Sequence, residues 1–500
     1  MARIVVIGAG MGAMTAAARL AVAGHRVVVC ERGETYGGAL GRFERDGFAF
    51  DTGPGLLPLP AVYRDVFVKT GKEPLEQCVE LTQVEPAVRH VFADGTVTDL
   101  PNASRAGIGE ALDKALGDGS GARWAAFMNR ARETWDRARR PLLEEPLFED
   151  WQVLGEREPY PAVVHKRLLR RDRRAATLAE IGALELGGDP RLVALLEHFA
   201  LAHGLDPRTT PASAAVLPYM EQTFGVWAVR GGMRALARAL YERCVARRVE
   251  FVFGAAVTRI VEKDGRAAGV ELADGTAREA DFVVAGVAST VLDRLAPGGV
   301  DVRARGDVPG RSGTPSRLTV LLALSGGRPG SAPHRTVVHA ADRGAELDRL
   351  FGERPGLAAA PTVTVLRPDD PGLVPDDAHE AVTLTVTAPA HLEVTPAEVE
   401  RLIGHAEAAV PGLRDRLLWH EVRTPADVAE ATGSDGGAVP APALAAADGG
   451  FLHPANTTRL PGLFAVGGWS HPGGGLPHAG MSGALVAGLI VEGPGFRGSQ

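Results

Sequence analysis

Residues 4–31 constrain this chain more than any other stretch. Ile4-Val5-Val6-Ile7 is a short β-branched run of the kind that forms a strand buried on both faces. Gly8-Ala9-Gly10-Met11-Gly12-Ala13 follows, then an alanine-rich helical segment through Leu20 to Ala23, a Gly24-His25 stop, and a second apolar run from Arg26 to Cys30 closed by Glu31. The turn matches G-x-G-x-x-A, a permitted form of the βαβ dinucleotide fingerprint. Gly8 allows the tight turn and Gly10 lets the main chain approach a pyrophosphate. Met11 and Gly12 open a helix whose free N–H groups favour phosphate, and Ala13 keeps helix and sheet close. Glu31 stands where an acid accepts hydrogen bonds from a ribose hydroxyl pair. The motif alone is weak; strand, helix, second strand and acid in register are much stronger.

At 500 residues the chain is too long for one ordinary core, so two or more subdomains are expected. A formal charge of −7, with no basic domain, argues against nucleic-acid binding. Cys30, Cys78 and Cys244 are far apart and form no metal-binding cluster, so the expectation is a reduced, cytoplasmic protein without a metal site. Glycines and Arg19 interrupt the apolar N-terminus, which reads as a strand and helix and not as a secretory signal. No uninterrupted apolar run is long enough for a spanning helix. Elbow-serine, H-E-x-x-H and P-loop lysine motifs are missing, which disfavours hydrolysis and phosphoryl transfer.

After the acid the chain reads Glu31-Arg32 to Gly37-Gly38-Ala39-Leu40-Gly41-Arg42, then Gly47-Phe48-Ala49-Phe50-Asp51-Thr52-Gly53-Pro54-Gly55. Two glycine-rich loops here suit a chain lying along an extended ligand such as FAD. In these motifs the sequence resembles the phytoene desaturase family of FAD-dependent oxidoreductases, within the wider flavin amine oxidase group. Trp227 to Met233 resembles the family's W-x-x-x-G-G-M segment, with a helix expected from Ala235 to Arg247. Phe251 to Ile260 resembles the strand whose Val257 backbone meets the adenine, and 361–368 with 388–391 a pair of substrate-domain strands. The closing stretch GLFAVGGWSHPGGGLPHAGMSG resembles the family's C-terminal signature. It implies a strand at Leu463–Val466, a glycine loop, and a helix from about Pro477 whose N-terminus faces the flavin. Gly467, Gly468, Gly474, Gly475, Leu476 and Pro477 then join Arg32, Gly38, Arg42, Gly53, Pro54 and Gly55 as expected cofactor contacts. Ala39 stands where relatives often carry a cation, and Gly468-Trp469 replaces a Gly-Asp pair.

The resemblance implies an α/β fold: a Rossmann-like FAD-binding domain assembled from 1–60, 226–296 and 446–500, a sheet-based substrate domain from 61–104, 205–225 and 297–445, and a helical subdomain at 105–204. Trp124, Phe127, Met128, Ala131 and Trp135 recur at helical spacing and read as core. The basic stretch from His165 to Arg174 reads first as a solvated face, with peripheral contact to anionic lipid as the alternative. The residues imply a flavin and an internal site. The family implies hydride exchange between flavin N5 and a carbon of an apolar isoprenoid or polyene, the leading reading being a carotenoid-type desaturase. A polyene reductase or cyclase and a non-catalytic prenyl-lipid escort are the alternatives, and the H-P-G-G-G ending disfavours amine oxidation. His471 and Glu221 are the candidate bases, each weighed against a structural role.

Overall fold

The computed structural model describes residues 1–148, 150–165, 171–298 and 314–498. The run Arg3–Ile7 forms the central strand of a five-stranded parallel sheet. Arg26–Cys30 and then Glu250–Val252 lie on one side, and Phe282–Ala285 and then Leu463–Ala465 on the other. Three remote parts of the chain thus build one sheet, as the βαβ reading requires. The helix Met11–Val22 is buried along most of its length because alanines let it lie close to the strands. An antiparallel meander, Val257–Lys263, Arg266–Leu272 and Ala277–Glu279, covers the other face.

A seven-stranded mixed sheet forms the second body, in the order Leu417–Arg423, Ser316–Ser325, His379–Ala388, Val363–Leu366, Arg335–Val338, Val88–Val91 and Val97–Leu100. The Asp-Gly turns at 94–95 and 274–275 close antiparallel pairs. The third body is helical: Arg105–Leu116, Ser120–Arg139, Leu178–Glu185 and Pro190–Ala202 share one core, in which Trp124, Phe127, Met128, Ala131 and Trp135 are all buried.

Four boundaries differ from the sequence expectation. The stretch 205–225 adds no strand to the substrate sheet, since Val216–Phe224 is a helix packed into the helical core. Helix Ala61–Gly71 joins the cofactor body, where Tyr63, Val66 and Phe67 are buried and Tyr63 Oη donates to the Leu476 carbonyl at 2.9 Å. Val226–Val229 pairs with Leu57–Pro58 and Leu81–Gln83 in a small separate sheet. Phe251 to Ile260 is not one strand: Glu250–Val252 ends in the parallel sheet, and Val257 starts the meander after a turn through Gly254. Of the basic stretch 165–174, residues 166–170 lie outside the described residues. Among the described residues no helix is long and apolar enough to cross a membrane, no cluster suits a metal ion, and the three cysteines are free thiols.

Candidate cofactor crevice

The two ends of the chain meet at the fingerprint. A Cβ on Gly12 would lie 2.8 Å from the Ala479 carbonyl oxygen and 3.0 Å from Gly467 Cα. One on Gly483 would overlap the Gly12 carbonyl and come within 2.7 Å of Thr15 Cβ. Helices Met11–Val22 and Leu476–Glu492 therefore cross at a distance only glycine allows. Each starts at a glycine with no side-chain cap and no acid in its first turn, so no side chain of its own first turn offsets its N-terminal partial positive charge.

Gly10 has nothing within 4 Å of where its Cβ would stand, and neither has Gly467, which sits at φ +97°. The main chain is thus open at both positions, where the motifs lead one to expect a cofactor cradle. Gly38 packs on Gly10 Cα, and Gly37 donates to the Ala9 carbonyl at 2.8 Å, which lays the second glycine loop across the first. Open main chain, two uncapped helix ends and a carboxylate at the second strand fit a dinucleotide carrying two phosphates and a ribose.

The Glu31 carboxylate accepts from Ala9 N–H at 2.7 Å and from Gly33 N–H at 2.8 Å. It thus shapes the fingerprint loop while each oxygen keeps a lone pair for a further donor. Met11 and Ala13 are buried, and Val257 is half-buried at the start of its strand. Arg32 and Arg42 turn elsewhere. Arg32 donates to the Glu430 carbonyl; Arg42 donates to the Gly231 carbonyl at 3.0 Å and pairs with Glu44 at 2.6 Å. Both guanidinium groups are thus engaged by protein acceptors, whereas Arg32 and Arg42 were expected as cofactor contacts.

Asp51 is a residue the motif contains and sequence reasoning passed over. Its carboxylate accepts from Met233 N–H at 2.8 Å and Arg234 N–H at 3.2 Å, capping the helix Met233–Ala246. Burial, the largest influence, pushes its pKa up to about 6 against these hydrogen bonds. Arg234 in turn bonds the Tyr36 and Leu40 carbonyls and stacks on Tyr36 at 4.1 Å. The G-F-x-F-D and G-G-M motifs are therefore two halves of one clasp around the loop 35–40.

The C-terminal glycines serve two ends. Gly468, Gly473 and Gly474 lie against the chain at Pro440–Ala443, where a Cβ would strike Pro440 or the Ala441 carbonyl, and Gly473 bridges Pro442. Gly467, and Gly475 at the helix start, take no part in that contact, and Leu476 and Pro477 are buried in the first turn. Gly53 packs on the Ala39 carbonyl and Gly55 on Leu366, which leaves Pro54 exposed between them.

His471 is fully buried. Its Nε2 donates to the Glu145 carbonyl at 2.9 Å, and Nδ1 has no partner. A carbonyl only accepts, so the lone pair is on Nδ1. Burial lowers its pKa to about 4, so this nitrogen is a poor proton acceptor at neutral pH. Glu221 is held by Arg335 through contacts of 2.5 and 3.0 Å, so it is an ion-pair partner and not a free base. His478, in the first turn of the C-terminal helix, was not singled out from sequence. It lines a small apolar pocket with Trp135, Leu142, Val216, Leu217 and Met220, and its buried Nδ1 also lacks a partner.

The model of the flavin containing amine oxidoreductase family matches residues 14–323. The chain is 30% identical over 504 residues to 4,4'-diapolycopene oxygenase of a Methylomonas species, covering 98% of each. It is also 30% identical to hydroxyneurosporene desaturase of Rubrivivax gelatinosus, covering 98% of this chain and 93% of that one. The crystal structure of an oxidoreductase from Methanosarcina mazei shares the fold with a TM-score of 0.63 at 18% identity, over 97% of this chain and 99% of the other.

Proposed function

The chain belongs to the flavin containing amine oxidoreductase family, and from that premise we propose that it binds FAD and transfers hydride between the flavin and a carbon of an apolar isoprenoid or polyene, in the manner of a carotenoid-type desaturase. The observation that carries the dinucleotide form of the cofactor is the crossing at Gly12, Ala479 and Gly467, which brings a pyrophosphate-type turn and a second uncapped helix N-terminus into one crevice. The polyene reading draws support from relatives whose names are those of polyene desaturases and oxygenases.

When bound, the flavin supplies the two-electron chemistry. The chain's own residues do the rest. The main chain from Gly8 to Ala13 would hold the phosphates, and Glu31, which fixes that loop, would accept from the ribose. Gly467, Gly475, Leu476 and Pro477 would bring the C-terminal helix dipole toward a bound flavin, where it would favour negative charge. Trp135, Val216, Leu217 and Met220 keep water from an apolar chain. Because His471 is neutral and tied to Glu145, and Glu221 is paired with Arg335, the proposal gives neither a proton-transfer role. Each instead holds two bodies together.

The test is anaerobic mixing of the purified protein with a panel of acyclic polyenes, following the flavin band and the products. Bleaching that yields a chain with one more double bond supports the desaturase direction. Bleaching only by amines, or by nothing in the panel, overturns the reading. A polyene reductase would instead show reoxidation of pre-reduced flavin, and an escort protein would show binding with no change of redox state.

A further inference from the structure

The seven-stranded sheet has one apolar face and one that is not. Leu318, Val320, Val363, Val365, Leu384 and Val386 pack on the helix Pro396–Ala406. Alternate residues of the same strands point the other way, toward the helical and cofactor bodies. There the strand register sets Thr319 opposite Thr385 and Thr385 opposite Thr364, so three threonines form one row across three adjacent strands. Arg317 and Thr387 make the next row on one side, and Leu321, Thr383 and Leu366 the next on the other.

This face is not open surface. At one end Arg317 donates to the Ala202 carbonyl at 2.6 Å and Thr387 to the Leu201 carbonyl at 2.6 Å, both at the end of helix Pro190–Ala202. At the other end Leu321 and Ala323 pack on Phe48 and Phe50, and Leu366 lies under Gly55 of the cofactor loop. The threonine row falls between these covered ends. Thr319, Thr364 and Thr385 are half-buried, and among the described residues none of their hydroxyls has a hydrogen-bond partner, not even one another. Arg317 makes no ion pair among the described residues. The row therefore lies between the parts of this face that the helical and cofactor bodies cover.

A pure hydrocarbon lying on this floor would strip water from three hydroxyls and a guanidinium and give nothing back. A site for one has no use for threonine where valine fits the same strand position. We propose that Thr319, Thr385 and Thr364, with Arg317 beside them, form a recognition floor for a polyene that carries a hydroxyl or carbonyl oxygen. The inference rests on the polyene reading above and narrows it from an apolar chain to an oxygenated one. The threonines can donate or accept, and Arg317 only donates, so an alcohol and a ketone are both served.

The test compares neurosporene with hydroxyneurosporene as probes, reading the second-order rate of anaerobic flavin reduction in the wild type, T319V/T385V, T364V and T385S. The expected result is a preference of about tenfold or more for the hydroxylated chain in the wild type, which falls to near parity in T319V/T385V, shrinks in T364V and survives in T385S, where the hydroxyl is kept. Equal rates with both probes in the wild type, or a preference that T319V/T385V leaves intact, overturn the floor while the polyene reading stands. Failure of both probes to reduce the flavin overturns the polyene reading, and the floor with it. Flavin content reports folding; should T319V/T385V lose flavin, T364V and T385S carry the comparison.

Discussion

At the scale of single residues, the crevice depends on groups that shape main chain more than on groups that perform chemistry. Glu31 accepts two loop amides, and E31Q keeps the size of the side chain but loses the charge and one acceptor. Flavin affinity is expected to fall by about tenfold or more, in line with about 1.5–3 kcal/mol for a hydrogen bond to a charged group, measured by titrating flavin-free protein. For His471, H471A leaves the Glu145 carbonyl unpaired in a buried place. The expected result is a loss of about 1–3 kcal/mol in urea unfolding, and a pH profile of flavin reduction with no histidine limb in wild type or variant. The fingerprint residues were readable from sequence because Gly8 to Glu31 is a local unit. Arg32, Arg42, Asp51 and the threonine row were not. Their partners lie up to 398 residues away, at Glu430 for Arg32, and depend on strand register that composition does not carry.

At the scale of elements, the crossing of Met11–Val22 with Leu476–Glu492 is the decisive contact. G483V puts branched atoms where the Gly12 carbonyl lies, so the helices must separate. A loss of about 1–3 kcal/mol or more and a protein largely free of flavin are expected, read from thermal unfolding and the visible spectrum of the purified variant. Sequence reading placed both helices, one from its alanine-rich run after a glycine turn and the other from the family resemblance and the proline in its first turn. It misjudged 251–260, where two strands in different sheets share one β-prone run, and 205–225, where the helix Val216–Phe224 is too short for its period to stand out from a strand. The closing glycine run was predicted as a flavin approach. Most of it instead answers to Pro440–Ala443, a neighbour whose proximity no local pattern announces.

At the scale of the molecule, the seven-stranded sheet and the helical body meet at buried, neutral histidines. His90 and His339 are 2.9 Å apart between ring nitrogens, and His198 brings the helical body against them with ring centroids 5.4 Å from His90. Burial is the first cause that lowers all three, with Arg335 adding to it at His90 and His198, and His198 falls to about 3 from an ordinary 6.5. The unfolded chain therefore binds protons that the folded one refuses. Their contribution is complete above pH 6.5 and shrinks as pH falls toward the folded values, by up to about 4 kcal/mol per pH unit for the three together. The unfolding midpoint should drop steeply between about pH 6 and 4, and H198F should flatten that slope. The opposite slope would contradict the buried neutral cluster.

A single flavin dinucleotide held where the two ends of the chain cross is the central proposal, and the most direct measurement is the amount and kind of flavin released per chain when the purified protein, supplied with FAD and FMN together, is denatured. One FAD per chain, with FMN left in solution, is the predicted result. A chain that retains neither flavin, or retains FMN in preference, would contradict it.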